Sequence, residues 1–310
     1  MYREYYGFRN HPFSLSPDTE KFVNLHGHQE CMDLLTYALS TGEGFVKIVG
    51  DVGTGKTILC RKLLRFVATP NGTESEYVAI YIPNPLLSPT GLFRTLASEL
   101  GVSLDNDKSQ DLVFEALNQE LLSLAGQRKS VVIIIDEAQA LPVSTLEALR
   151  LVTNLETEKQ KLVQVILFGQ PELDDLLSQH QFRQLKQRIT FSYYLNPLTL
   201  SSTQQYLQHR VIHAGFNGEH LFTAAAMKRI FHHSRGVPRL INVISHKALL
   251  AGFARNAPKI DKADVDTAFY DGQPQAAESR SKRIIWSISV GILVVAIAIL
   301  AWMQWQGLNP

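Results

Sequence analysis

Five apolar stretches are strand candidates, several of them apolar on consecutive rather than alternate positions: FVKIV (45–49), YVAIYI (opening at Val78 and running to 82), VVIIID (131–136), LVQVILF (162–168) and TFSYYL (190–195). Strands apolar on both faces suit a parallel sheet covered by helices, and each run is short enough to be a strand. Between them, apolar residues recur at helical spacing after Ser, Thr or Pro signals, in SPTGLFRTLASEL (88–100), DLVFEALNQELLSLA (111–125) and STLEALRLVTNL (144–155). Alternating strands and helices predict an α/β doubly wound architecture. After Pro197 only helical periodicity remains, through LSSTQQYLQHRVIHAG, TAAAMKRIFHHS, PRLINVISHKALLAGFARN and KADVDTAFY. The pattern therefore divides the chain into an α/β part over residues 1–196 and a smaller all-helical part over 197–270.

The pattern changes again beyond residue 270. DGQPQAAESRSKR (271–283) has no apolar periodicity and reads as a juxtamembrane linker. The next stretch, 284–303, is a predominantly apolar run of 20 residues without a charged side chain, which as a helix spans about 30 Å, the thickness of a bilayer core. It predicts a transmembrane helix, with Trp286, Trp302 and Trp305 at its ends suiting the aromatic belt. Arg280, Lys282 and Arg283 flank its N-terminal side only, so the positive-inside rule places residues 1–283 in the cytoplasm and 304–310 as a short periplasmic tail. The N-terminus has no apolar core region of a signal peptide.

Composition adds exclusions. Thirty Lys and Arg against 29 Asp and Glu leave +1, with no whole-chain basic excess of the kind that marks a non-specific nucleic-acid binder. Two cysteines, Cys31 and Cys60, exclude a disulfide framework and read as free thiols in a reducing compartment.

The candidate chemistry begins at the end of the first strand. Gly50-Asp51-Val52-Gly53-Thr54-Gly55-Lys56-Thr57 matches the phosphate-loop pattern G-x-x-x-x-G-K-[ST], after a strand and before the helix ILCRKLLRFV. Such a loop turns backbone N–H groups inward to cradle phosphate oxygens, and the following helix adds its positive end. Lys56 is then placed for the β- and γ-phosphates, and the Thr57 hydroxyl for Mg²⁺. The run VVIIID ends in Asp136-Glu137, the apolar strand and acidic pair of a Walker B element. On a strand expected beside the phosphate-loop strand, Asp136 would hold Mg²⁺ through water, and Glu137 is the candidate general base for the attacking water. LVQVILFGQPEL ends at Gly169-Gln170, where an amide side chain could bond the γ-phosphate or the lytic water. Arg183, Lys186 and Arg188 follow; taken alone they read as a solvated helix face. HHSRGVPRLIN places Arg239 on the first turn of a helix after Pro238, which alone reads equally as a surface ion pair. There is no NKxD guanine-specificity motif, so ATP is favoured over GTP.

Together, a phosphate loop, a Walker B pair, a polar residue ending the next strand and an arginine in a helical region resemble the AAA+ ATPases. The segments YYGFRNHPFSLSPD, HQE (28–30), GDVGTGKT, IIDEAQ, FGQPEL and GVPRLIN resemble, across about residues 1–270, the general secretion pathway protein A (ExeA-like) family, and within it the branch serving mannose-sensitive haemagglutinin (MSHA) type IV pilus biogenesis. The resemblance implies an AAA+ P-loop NTPase with a parallel sheet core, an all-helical lid and a C-terminal membrane anchor. It implies that Gln170 is a sensor 1 residue, Arg239 a sensor 2 arginine, and Arg188, with Arg183 second, an arginine finger acting on a neighbouring subunit. It places Asn10, Pro12, Phe13 and His28 on the adenine side. The implied cofactors are ATP and Mg²⁺. The implied partners are further copies of the chain in a ring or similar homo-oligomer, and pilus or secretion assembly proteins of the bacterial inner membrane. Family members also carry a long periplasmic region with a peptidoglycan-binding domain, where this sequence has only 304–310 beyond the predicted span. The competing class is a DNA-associated AAA+ regulator resembling transposition helper ATPases; the transmembrane run and the +1 charge favour the membrane ATPase.

Overall fold

The computed structural model describes residues 1–15, 22–68, 76–103, 109–156 and 161–271. The predicted linker from 272 onward and the predicted span 284–303 lie outside them. Among the described residues no helix is long and apolar enough to cross a membrane.

A five-stranded, wholly parallel sheet is built from β1 (Phe45–Val49), β2 (Tyr77–Ile82), β3 (Ser130–Ile135), β4 (Val163–Gly169) and β5 (Ile189–Tyr194), in the order β2-β3-β4-β1-β5. Alternate side chains feed two cores. Val131, Ile133, Ile135, Val165 and Leu167 join one cluster with the helices α4 (Pro89–Glu99), α5 (Gln110–Gly126) and α6 (Val143–Val152). Val46, Ile48, Val132, Ile134, Ile166 and Phe168 join the other with α2 (His26–Ser40) and α3 (Lys56–Ala68). Burial on both faces is why these strands read as continuous apolar runs.

The order corrects one expectation. The Walker B strand β3 is not beside the phosphate-loop strand β1; β4 lies between them. A residue at the end of β4 is therefore set between the phosphate loop and the acidic pair, and Gln170 holds that position.

Short helices α7 (Glu172–Ser178) and α8 (Arg183–Arg188) complete this half, while α1 (Tyr2–Tyr5) packs elsewhere; the sequence pattern did not separate α1, α2 or α7. Beyond β5 come α9 (Leu200–His213), α10 (Ala224–Ser234), α11 (Pro238–Ala254) and α12 (Lys262–Tyr270). Their starts follow from capping: Thr199 and Thr223 side chains accept from the N–H groups of Ser202 and Ala226, and Asp261 and Asp264 form a capping box. These helices share one core with the beginning of the chain. Tyr2, Tyr6, Phe8 and Phe13 are buried against Leu207, Val211, Ile244, Leu249 and Ile260, so the first fifteen residues form a strap on the helices rather than on the sheet. At about 1.5–3 kcal/mol for each ring buried, the strap is firmly anchored.

Candidate functional site

The phosphate loop sits at the carboxyl edge of the sheet, held by close backbone contacts. Gly50 donates its N–H to Gly169 at 3.2 Å, and a Cβ at Gly50 would stand 2.7 Å from the Leu195 carbonyl. Gly53 and Gly55 adopt φ of +85° and +108°, which glycine alone takes without strain. Thr54 caps the loop through its hydroxyl on the Asp51 carbonyl at 2.8 Å, and the Tyr194 hydroxyl donates to Asp51 Oδ1 at 3.3 Å. His28 donates through Nε2 to the Thr54 carbonyl at 3.1 Å, and burial pushes its proton affinity down, so it is neutral.

Lys56 is buried and bends back onto the carbonyls of Gly50 (2.6 Å) and Asp51 (2.9 Å). Burial lowers its pKa, against the pull of Glu137, Asp136, Asp51 and Glu172. It is thus a desolvated cation whose present partners are neutral carbonyls, the electrostatic setting that favours an incoming polyanion.

At the ends of β3 and β4 the acidic pair is wired to its neighbours. Asp136 is buried, and burial raises its pKa against hydrogen bonds from the Thr57 side chain and the Glu137 N–H (3.0 Å). Glu137 has a left-handed backbone (φ 53°, ψ 39°). Its Oε2 accepts from Gln139 Nε2 at 2.6 Å and Gln170 Nε2 at 2.9 Å. Burial tends to raise its pKa, yet these two bonds and the Lys56 charge outweigh it and hold the carboxyl below its ordinary range, ionised at neutral pH.

A cavity of about 380 Å³ brings these groups together; Gly53, Lys56, Thr57, Glu137, Gln170 and Arg239 all line it. Arg239 is delivered by the turn before α11. Arg235 and Gly236 both adopt positive φ, and Gly236 lies so close to Leu198 that a Cβ would stand 2.0 Å from its carbonyl oxygen. Pro238 then starts the helix, and the Arg239 N–H donates to the Gly53 carbonyl at 3.2 Å. Two arginines are not brought in: Arg183 and Arg188 are exposed on α8 and absent from the cavity wall. Arg188 precedes Ile189, which pairs with Phe45 at the start of β1, so about 16 Å of strand separates it from its own loop.

Sequence reasoning missed four contributors. Gln139 bonds both Glu137 and the main-chain N–H of Gln170 (3.0 Å). Arg210 is a buried cation on the cavity wall, donating to the carbonyls of Pro12 (2.7 Å) and Ser14 (3.3 Å) and to the Tyr206 hydroxyl (3.3 Å). Tyr206 in turn donates to Asn242 Oδ1 at 2.9 Å. The available signal was an arginine four residues after Tyr206 on the apolar stripe of α9, where a surface charge has no place. Of the expected adenine-side residues, His28 lines a small cavity of about 50 Å³ beside Phe22, Ile58 and Tyr206, and Pro12 enters through its carbonyl.

A sheet of this order with a phosphate loop after β1 and an acidic pair after β3 is that of the AAA+ P-loop fold, and a family model described as an AAA domain matches residues 39–177. General secretion pathway protein A of Aeromonas hydrophila is 38% identical over 306 residues, which is 99% of this chain and 54% of that protein. The chain is thus similar to general secretion pathway protein A along nearly all of its own length, and it spans about half the length of that relative. Among solved structures, the Orc1 protein of Aeropyrum pernix in complex with DNA superposes with a TM-score of 0.61 at 19% identity, covering 85% of this chain and 69% of that one. Cdc6p of Pyrobaculum aerophilum gives 0.61 at 18% identity, over 83% and 69%. At such identities the likeness is one of fold.

Proposed function

We propose that this chain is a membrane-anchored ATPase that binds and hydrolyses ATP to assist assembly of a type IV pilus of the MSHA kind or a type II secretion apparatus. One observation carries the catalytic half of this reading: the cavity on which Lys56, Thr57, Glu137, Gln170 and Arg239 converge. The loop amides and Lys56 bind the phosphates. Thr57 and Asp136, joined by a hydrogen bond and offering hard oxygen donors, fit Mg²⁺, which when bound neutralises charge on the phosphates. Glu137, ionised and oriented by two amides, takes the proton of the attacking water. Gln170 bonds the water or the γ-phosphate, and Arg239 reaches the same phosphate from the helical lid formed by residues 197–270. Arg188 acts in trans: its distance from its own loop favours service to a neighbour's site in a ring or similar homo-oligomer. Residues 284–303 form the anchor, with the ATPase on the cytoplasmic side.

The deciding measurement is ATP hydrolysis by the full-length chain beside Glu137→Gln. The variant is expected to keep ATP affinity and lose turnover, since the amide cannot take a proton; equal turnover in both removes Glu137 as the base. The alternative, a DNA-associated AAA+ regulator, draws support from the fold likeness to a protein solved on DNA. It predicts DNA affinity that falls steeply with salt.

A further inference from the structure

The turn after β3 sets Gln139 between two groups of opposite demand. On one side Glu137 Oε2, an ionised oxygen, can only accept; on the other the Gln170 main-chain N–H can only donate. The Gln139 amide meets both, with Nε2 2.6 Å from the carboxylate and Oε1 3.0 Å from the N–H. The Gln170 side chain closes the circuit, its Nε2 standing 2.9 Å from the same Oε2. Two donors thus converge on one oxygen of Glu137. The backbone there is in the left-handed region, a conformation that a residue with a side chain keeps only where its surroundings fix it.

We propose that Gln139 is a positioning residue for the hydrolytic step: its amide bridges the ends of β3 and β4 and fixes the Glu137 carboxylate relative to Gln170. The inference rests on the reading of Glu137 as general base. A primary amide is what the place requires. A carboxylate there would set oxygen against oxygen, and alanine would leave Glu137 with one donor instead of two. Gln139 itself does not line the cavity, so it acts through Glu137 and touches no nucleotide. Its loss should therefore reduce the rate and leave binding alone, the pattern of a group whose benefit is realised only in the transition state.

The test uses the full-length chain with Gln139→Ala and Gln139→Glu. Affinity is read with a fluorescent ATP analogue, which also reports that each variant is folded, and hydrolysis is read as phosphate release under single-turnover conditions. The expected result is a rate about tenfold or more below wild type, since misplacement of a catalytic group by an ångström costs up to roughly a hundredfold, with affinity within about twofold. In a Glu137→Gln background, adding Gln139→Ala should leave the small residual single-turnover rate, followed over long times, unchanged, because the carboxylate it positions is gone. Wild-type rates in both single variants overturn the inference. So does a parallel loss of affinity, or an undiminished effect in the Glu137→Gln background. A wild-type chain that hydrolyses nothing overturns the proposed function and this inference together, whereas hydrolysis that needs Glu137 but not Gln139 overturns this inference alone.

Discussion

The sheet half and the helical half of this molecule meet at one cavity but are assembled in different ways. In the sheet half each functional group stands at the end of a strand that carries it: the phosphate loop after β1, Asp136 and Glu137 after β3, Gln170 after β4. In the helical half nothing is delivered by its own element alone. Arg239 is aimed by a turn wedged against Leu198, and Arg210 is held by carbonyls of the strap, 196 and 198 residues away in sequence. The comparison teaches that the groups at the strand ends can be encoded locally, while the helical groups facing the same cavity depend on contacts made across the chain.

The largest expected effect breaks the helical side. Gly236→Ala forces a side chain into positive φ and against the Leu198 carbonyl, and should destabilise the fold by about 3 kcal/mol or more. Urea unfolding measures this; stability within 1 kcal/mol of wild type would mean that the wedge is dispensable. Lys56→Ala breaks the sheet side with the opposite signature. It removes a charge-assisted contact of about 1.5–3 kcal/mol, or roughly ten- to 150-fold in ATP affinity, while nucleotide-free stability changes little. Calorimetric titration and melting on the same samples separate the two.

Acid should sharpen the contrast. Burial alone would raise the Asp264 pKa, but bonds from Arg255 and the Asp261 N–H prevail and depress it. A depressed folded pKa gives stability that is present above the unfolded value, near 4, and lost as pH falls through the folded one. Asp266, bonded by Arg229 and His233, has the same sign. At the sheet edge Asp136 is raised and Glu137 lowered, so their contributions have opposite signs. The helical half should therefore be the acid-labile one, and Asp264→Asn should flatten the fall of stability below pH 5; an unchanged slope would assign the lability elsewhere. The smallest effect is Thr199→Ala, which removes the cap of α9 and should cost about 1 kcal/mol.

The same contrast explains what was legible in the sequence. FVKIV is β1 to the residue, and the other strands fall within a residue of their apolar runs; in the central strands β1, β3 and β4 burial on both faces leaves a nearly unbroken signal. The phosphate loop and the acidic pair are legible because their chemistry fixes residue types at short spacing. Strand order was not: a run of valines and isoleucines does not say which neighbour it pairs with, and β4 between β1 and β3 could not be read from either. Gln139 stood in plain view beside Glu137, but its role depends on the main chain of a residue 31 positions later. Arg210 was hidden for the same reason.

The strap has a consequence for how the protein is made. Tyr2 bonds His246, 244 residues away, and Tyr6 bonds Ala257, 251 residues away. At about 5–20 residues per second of synthesis, the four buried aromatic residues of the strap wait roughly 10–50 s before their partners leave the ribosome. The sheet can close in the meantime, so the strap, translated before the strands, is among the last segments to find its place, and the cavity beside the phosphate loop acquires its final wall only when translation has passed α11.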